Sequence, residues 1–254
     1  MTKVLLILSL IVLLVQLNSY NAAAATRTND SDSIKPVNNS ELDVSNLVYD
    51  LDSRPFNTSY ADWTAKWWQW AYSIPWDKNP SYDDTGKYCS ENQKAPVWFL
   101  TQAYEHPVTR TCEIPQDTAL LITLMNSECS YAEFESLKTE QELRDCANRM
   151  QNFVSGVNAS LDGIKIPNLE KYRIQTGLFN FTLPQNNILN LTSQTTESVA
   201  DGNWLFLKPL PPGIHELAVK GDINKTASTT KIGGNQFAGP IGWNQTTTYI
   251  LKVS

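Results

Sequence analysis

The segment between Ser59 and Pro75 constrains the fold more than any other, because it holds four of the chain's eight Trp. Its first residues, Ser59-Tyr60-Ala61-Asp62, match an N-cap followed by an acidic residue, and Pro75 closes the segment, which predicts a helix. The residues of one stripe at helical spacing are Tyr60, Trp63, Trp67, Trp70, Ala71 and Ile74. This stripe predicts that the helix packs its Trp-bearing side against a core.

Two aromatic residues of the same segment lie off the stripe. Trp68 and Tyr72 are four residues apart and therefore share the opposite side of the helix. One helix cannot bury both sides against a single layer. We expect either a second packing layer over Trp68 and Tyr72 or an exposed aromatic platform, and we take both as candidate binding residues.

The other strong patterns are mainly those of β-strands. The strand candidates are residues 96–100, 108–114, 119–125, 157–161, 172–176, 178–183, 204–207, 214–220 and 247–253. The run 119–125 is almost wholly apolar, which predicts a central strand covered on both faces. Two S/T-x-x-E capping boxes, at Ser130 and Thr139, predict two helices after it. The predicted fold class is mainly β: an antiparallel β-sandwich of jelly-roll or Ig-like type, with an N-terminal Trp-rich helix and a two-helix insertion.

The N-terminus has the pattern of an export signal. Lys3 precedes a 14-residue apolar run from Val4 to Leu17, and small residues follow at Ala22–Ala25. The run is short for a membrane-spanning helix, so it predicts a signal peptide cleaved near Ala25, with an uncleaved anchor as the alternative. We therefore predict a signal peptide over residues 1–25, a flexible spacer over 26–45 and a single domain over 46–254. The mature protein is predicted to be extracellular, without a transmembrane anchor.

Cysteine usage agrees with export. The chain has four Cys, at positions 89, 112, 129 and 146. An even number in an exported chain predicts disulfides. Three connectivities are possible, and we favour Cys89–Cys112 with Cys129–Cys146 because each pair closes a local loop. A zinc site is not predicted, since the chain has no C-x-x-C and only two His.

The chain also carries eight N-x-S/T sequons. They lie at Asn29, Asn38, Asn57, Asn158, Asn180, Asn190, Asn224 and Asn244. Each predicts a surface position and a glycosylation site in a host that modifies Asn. The alternative is that Asn, Ser and Thr are simply common in turns.

Charge and loop aromatics indicate the class of partner. A net charge of −6 argues against a phosphate-binding surface, so nucleic acid is not a predicted partner. Four aromatic residues fall in loop sequence and join Trp68 and Tyr72 as candidate binding residues: Trp76, Tyr82, Tyr88 and Trp243. A flat ring exposed on a loop stacks on a sugar or anchors a protein partner. We expect a glycan or a cell-surface protein as the partner.

Catalytic patterns are weak. His106 and His215 are the only His, and the chain has no G-x-S-x-G motif, which disfavours a Ser-His-Asp hydrolase. The candidate carboxylates have no distinctive spacing: Asp83, Asp84, Glu91, Glu105, Glu113 and Glu128. A carbohydrate-active hydrolase or lyase would need two of them about 5–10 Å apart in an aromatic-lined cleft.

A cation site is the weakest of these hypotheses. Asp83 and Asp84, with Asn79 nearby, could ligate Ca²⁺ through oxygen. The stronger interpretation is an Asx-type turn that leads into Gly86. No other cofactor is predicted.

Several motifs together resemble a family of exported prokaryotic proteins. They are W-x3-WW-x-WA-x2-IP over 63–75, NP-x3-DTG-x2-C over 79–89, PVWFL over 96–100, Asp162-Gly163, Tyr172-Arg173 and L-x2-G-x-H over 210–215. The resemblance covers nearly the whole chain from Ser59. It implies export and a single domain, and it carries over no functional residues. The sequons depart from the pattern of the bacterial members.

The sequence therefore gives three functional hypotheses. The first is a secreted, N-glycosylated, non-catalytic protein that binds a glycan or cell-surface partner through loop aromatics. The second is a carbohydrate-active hydrolase or lyase that uses a carboxylate pair. The third is a structural component of the cell envelope.

Overall fold

The computed structural model describes residues 44–104, 106–223, 230–232, 235–237 and 244–254. The predicted signal peptide, most of the predicted spacer and Trp243 lie outside these residues, as do the sequons at Asn29, Asn38 and Asn224. The described part begins with a short helix, α1 (Val44–Leu47), in which Val44 is buried. The first two residues of α1 therefore fall within the segment predicted as spacer.

The Trp-rich segment forms helix α2 (Tyr60–Ser73), as predicted. The Ser59 hydroxyl accepts a hydrogen bond from the Asp62 backbone N–H, which caps the first turn. The Trp stripe faces the core, where Trp67 donates its indole N–H to the Leu100 carbonyl at 2.8 Å and packs edge-on against Trp204. Helix α2 therefore docks on the sheet through its Trp rings.

The described strands confirm a mainly β chain. In chain order they are β1 (Val97–Leu100), β2 (Val108–Ile114), β3 (Ala119–Ser130), β4 (Val154–Leu161), β5 (Ile164–Lys165), β6 (Arg173–Gln175), β7 (Phe179–Leu183), β8 (Gln194–Leu207), β9 (Gly213–Ile223), β10 (Thr230–Ile232), β11 (Asn235–Phe237) and β12 (Asn244–Val253). One five-stranded sheet has the order β1-β3-β8-β6, with β7 also paired to β8. A second has the order β2-β12-β9-β4-β5, and β10 pairs with β11.

The prediction of a purely antiparallel architecture is wrong at two places. Strands β1 and β3 pair in parallel, and so do β2 and β12. Each parallel pair joins strands that are not consecutive in the chain, as expected because parallel pairing needs a crossover connection. The molecule therefore has two mixed sheets, and the jelly-roll or Ig-like class stays a prediction.

The predicted two-helix insertion holds one helix. Thr139 begins α3 (Glu140–Gln151) with both hydrogen bonds of a capping box. Ser130 ends β3 instead, and the residues after it form a turn. The Ser130 carbonyl accepts the Phe134 N–H at 3.0 Å, which closes a single turn, and the N–H of Tyr131 donates to the Glu197 carbonyl, which holds that turn against β8.

The favoured disulfide pairing agrees with the structure. Cys89 is bonded to Cys112 with a Cα–Cα distance of 5.7 Å, and Cys129 to Cys146 with 6.0 Å. The first joins the loop after α2 to β2, and the second joins β3 to α3. The first disulfide therefore holds the loop after α2 against the second sheet, and the second holds α3 against the first sheet.

The core lies on both faces of the first sheet. Residues Leu120–Ile122 of β3 and Trp204–Leu207 of β8 are almost fully buried at successive positions, so both faces of these strands are covered. Helix α2 covers one face through Trp67 and Trp204. The second sheet approaches β3 so closely that a Cβ at Gly221 would lie 2.7 Å from the Leu124 carbonyl oxygen. Gly221 therefore allows close contact between the sheets.

Candidate functional site

Buried Arg110 positions the loops that carry two tyrosines. Its Nε donates to the Asp83 carbonyl at 2.6 Å, and an Nη donates to the Ser81 carbonyl at 3.4 Å. These two carbonyls flank Tyr82. The Ser81 carbonyl also accepts the backbone N–H of Tyr104 at 3.3 Å. One guanidinium on β2 thus fixes the segment on which Tyr82 lies and its contact with the loop of Tyr104.

Three rings form an aromatic strip, which we define as Trp76, Tyr82 and Tyr104. The ring centroids of Trp76 and Tyr82 are 5.9 Å apart, and those of Tyr82 and Tyr104 are 5.3 Å apart in a stacked arrangement. Trp76 is 51% exposed and Tyr104 is 37% exposed. Trp76 and Tyr82 are predicted binding residues, while Tyr104 is an addition from the structure.

A β-bulge in β3 decides which side chains face α2 beyond the strip. Thr123 pairs with Trp204, but Met125 pairs with Asn203, so one extra residue lies between them. Directly opposed residues share a face of the sheet. The bulge therefore shifts the alternation, and Glu128 comes to the face that α2 covers.

On that face Glu128 belongs to an acid pair with Glu133. The Tyr72 hydroxyl donates to Glu128 Oε1 at 2.9 Å, and the Ser198 hydroxyl donates to Oε2 at 2.5 Å. The Ser130 hydroxyl donates to Glu133 Oε2 at 2.8 Å, and the Glu128 carboxyl group is close enough to act on the pKa of Glu133. Helix α2, both central strands and the turn after β3 together build the pair.

Glu133 holds its proton more tightly than an ordinary Glu. Burial of the Glu133 carboxyl group, together with the nearby charge of Glu128, raises the pKa of Glu133 well above its ordinary value, although the residue as a whole is partly exposed. Burial also raises the pKa of Tyr72 and Tyr104, and both carboxyl groups of the pair add to this effect. Tyr104 is 37% exposed, yet its hydroxyl is close enough to the acid pair for both carboxyl groups to raise its pKa.

These groups line one concave site, the acid cleft. Its volume is about 240 Å³, and the residues that matter to its chemistry are Trp68, Tyr72, Tyr104, Asn126, Glu128, Glu133 and Phe153. Tyr104 belongs both to this cleft and to the aromatic strip. The exposed strip therefore leads directly to a cleft with aromatic walls and a pair of carboxyl groups.

The structure decides between the two interpretations of Trp68 and Tyr72. Both side chains are buried, and the Tyr72 ring lies 4.7 Å from that of Phe181 on β7. They form a second packing layer, so the exposed platform is wrong. The five Trp that the sequence assigns to helix stripe and strands are buried as well: Trp63, Trp67, Trp70, Trp98 and Trp204.

The remaining predicted site residues either do not line the acid cleft or lie outside the described residues. Tyr88 is half-buried, with the Lys87 Nζ 5.0 Å from its ring centroid. Trp243 and the candidate carboxylate Glu105 lie outside the described residues. Sequence reasoning missed Glu133, for which the capping-box pattern at Ser130 was the available signal.

Asp83 forms the turn that the sequence favours over a calcium site. Its carboxylate accepts the backbone N–H groups of Thr85 and Tyr88 at 2.9 and 2.8 Å. Burial alone would raise the pKa of Asp83, but these hydrogen bonds and the charge of Arg110 outweigh burial and lower it. Within the described ranges no group of three or more Asp, Glu, His or Cys is placed to hold a metal. Calcium at Asp83 and Asp84 stays a weak prediction.

Both His are engaged with carboxylates. His106 Nε2 lies 3.0 Å from Asp84 Oδ2 at the surface. His215 is buried, with Nδ1 2.8 Å from Asp162 Oδ2 and Nε2 2.9 Å from the Pro211 carbonyl. These contacts fix His215 at the start of β9, and neither His is part of the acid cleft.

The sequons in the described part all lie at the surface. The Asn of these five are exposed: Asn57, Asn158, Asn180, Asn190 and Asn244. A glycan needs this exposure, and glycosylation itself stays a prediction. Among the helices described, none is both long and apolar enough to cross a membrane.

No protein family, curated protein or solved structure matches this chain. The functional conclusion therefore depends on the aromatic strip and the acid cleft alone.

Proposed function

We propose that this chain is a secreted, N-glycosylated, non-catalytic β-sandwich protein that binds a carbohydrate. The observation that carries the proposal is the aromatic strip, which runs from exposed Trp76 through Tyr82 to Tyr104 and ends in the acid cleft. The disulfides Cys89–Cys112 and Cys129–Cys146 support an oxidising, extracellular location.

The chemistry of the strip suits a sugar. Tyr and Trp offer flat, rigid and amphipathic surfaces on which the apolar face of a pyranose ring stacks. The carboxyl groups of Glu128 and Glu133 supply acceptors for sugar hydroxyls at the end of the strip. A protein partner would need a larger apolar surface than these three rings offer, so a glycan is the partner that we favour over a surface protein.

A carbohydrate-active hydrolase is the second candidate, favoured by the raised pKa of Glu133 beside Glu128. Glycosidases place their two carboxyl groups about 5–9.5 Å apart so that the sugar lies between them. In the acid cleft both carboxyl groups already accept hydroxyl hydrogen bonds, Glu128 from Tyr72 and Ser198 and Glu133 from Ser130. Carboxyl groups fixed in this way favour binding over glycoside hydrolysis.

The test is a glycan array with the purified protein, followed by titration of the strongest ligand by intrinsic Trp fluorescence. We expect the variants W76A and Y104A each to weaken binding by about fivefold, since each removes a stacking surface worth roughly 1 kcal/mol. The matched control is F56A, because Phe56 is 42% exposed and contacts Trp63 away from the strip. A blank array, or an equal loss in F56A, would reject the proposal.

A further inference from the structure

The acid cleft surrounds a negative pair with aromatic rings. Trp68, Tyr72 and Phe153 line it together with Glu128 and Glu133. Among the described residues, no Lys, Arg or His forms an ion pair with Glu128 or Glu133. The pair therefore lacks the countercharge that usually accompanies buried carboxylates.

We propose that the acid cleft binds an amino sugar whose amine is free and protonated. This inference rests on the proposed carbohydrate function and names the class of sugar. An ammonium group supplies the countercharge that Glu128 and Glu133 lack. Aromatic walls favour the same charge, since the face of an aromatic ring is negative and attracts a cation.

Two unused donors in the cleft complement the rest of a sugar. Trp68 is only 3% exposed, and its indole N–H has no hydrogen-bond partner in the described structure. The side-chain N–H₂ of Asn126 is likewise buried without a partner. A buried donor of this kind costs stability unless an acceptor reaches it. Sugar hydroxyl oxygens are such acceptors, whereas a simple alkyl amine has none.

The size of the cleft fits one ring. At about 240 Å³ it is smaller than the pockets of about 300–1,000 Å³ that hold drug-sized ligands. One amino-sugar residue would occupy the acid cleft, and the neighbouring sugars would lie along Tyr104, Tyr82 and Trp76. The cleft thus selects the amine, and the strip binds the chain of sugars.

Proton balance makes the selection depend on pH. Below the raised pKa of Glu133, an incoming ammonium group displaces the Glu133 proton to solvent while the sugar amine keeps its own proton. Affinity therefore rises as the pH rises through the pKa of Glu133. The other groups that face the pair are the hydroxyls of Tyr72 and Tyr104, which stay neutral in this range because their pKa values are raised.

The probes are glucosamine trimer and N-acetylglucosamine trimer, which share a backbone and differ in the charge on nitrogen. By isothermal titration at pH 6.5 we expect the glucosamine trimer to bind at least tenfold more tightly to the wild-type protein. Glu128→Gln and Glu133→Gln should each reduce this ratio toward one. The matched control is Glu135→Gln, because Glu135 is an exposed carboxylate on the same connection. Its ratio should equal that of the wild type.

A second readout does not depend on the variants. Titration of the wild type in two buffers of different ionisation enthalpy should show proton release with the glucosamine trimer and none with the acetylated trimer. Equal affinity for both trimers, or absence of proton release, overturns the amino-sugar inference and leaves carbohydrate binding intact. A blank glycan array would remove the proposed function itself.

Discussion

At the scale of single residues, Glu133 makes folding stability depend on pH. The folded protein keeps the Glu133 proton at pH values where the unfolded chain, with an ordinary pKa of 4.5, has released it. Stability therefore falls as the pH rises from about 4.5 through the raised pKa of the folded state. We expect Glu133→Gln to abolish this fall, so that the variant has a higher free energy of unfolding than the wild type at pH 7 and a similar one at pH 4. Urea unfolding between pH 4 and 8 measures the difference.

The control for this experiment is Glu135→Gln, which removes an exposed carboxylate two residues away. Its unfolding free energy should follow that of the wild type at every pH. If the curves of Glu133→Gln and the wild type run parallel from pH 4 to 8, the Glu133 proton is not held more tightly in the folded state.

At the scale of elements, two identical sequence patterns gave different structures. Thr139 caps α3, where Leu143, Cys146 and Ala147 form a buried stripe. Ser130 has the same pattern, but the N–H of Ala132 donates to the Thr196 hydroxyl of β8. The sequence predicted α3, because the apolar stripe that the helix buries lies within the helix's own sequence. It could not predict that the Ser130 segment stops after one turn, because the contact that holds this turn against β8 comes from a residue 64 positions away.

The capping box of α3 should contribute measurably to stability. The Thr139 hydroxyl accepts the backbone N–H of Glu142 at 3.3 Å, and the Glu142 carboxylate accepts the N–H of Thr139 at 2.9 Å. We expect Thr139→Ala to lower the free energy of unfolding by about 1 kcal/mol, as loss of an N-cap does. Thr139→Ser keeps the hydroxyl and should lose much less. Urea unfolding compares them, and equal losses would show that the methyl group rather than the cap matters.

Helix α2 was also predicted from its own spacing, whereas the contacts that cover its second side come from a distant part of the chain. Its spacing predicted the Trp stripe and the separate pair Trp68 and Tyr72. The choice between a buried layer and an exposed platform was set by Phe181, which packs on Tyr72 from β7. A contact between residues so far apart in the chain leaves no local pattern in a single sequence.

At the scale of the whole molecule, the site combines segments that the chain separates widely. The loop aromatics Trp76 and Tyr82 were predictable, because turn residues surround them. The acid pair was not, since Glu128 is placed by a bulge in β3 and bound by Tyr72 and Ser198, which lie 56 and 70 residues from it. Strand order was equally hidden, since the parallel pairing of β2 with β12 joins an early strand to the last strand described.

The disulfides contribute to the stability of the whole molecule. Cys89–Cys112 and Cys129–Cys146 close loops with sequence separations of 23 and 17, so each should contribute roughly 3 kcal/mol in the loop-entropy model. The loops do not overlap, so their contributions should add to about 6 kcal/mol. That sum is comparable to the roughly 5–15 kcal/mol that stabilises a typical domain. Because reduction would remove much of the stability, the fold suits an oxidising environment.

Paired Ser variants test this dependence. We expect C89S/C112S and C129S/C146S each to lower the free energy of unfolding by about 3 kcal/mol in urea, and the fourfold variant to be largely unfolded at 37 °C. The two double variants should differ in function, because Cys89–Cys112 supports the loop of Tyr82 whereas Cys129–Cys146 holds α3 beside the acid cleft. The first should weaken stacking of neutral and cationic sugars alike, and the second should mainly reduce the preference for glucosamine. Free thiols in the native wild-type protein, or double variants as stable as the wild type, would contradict this role of the disulfides.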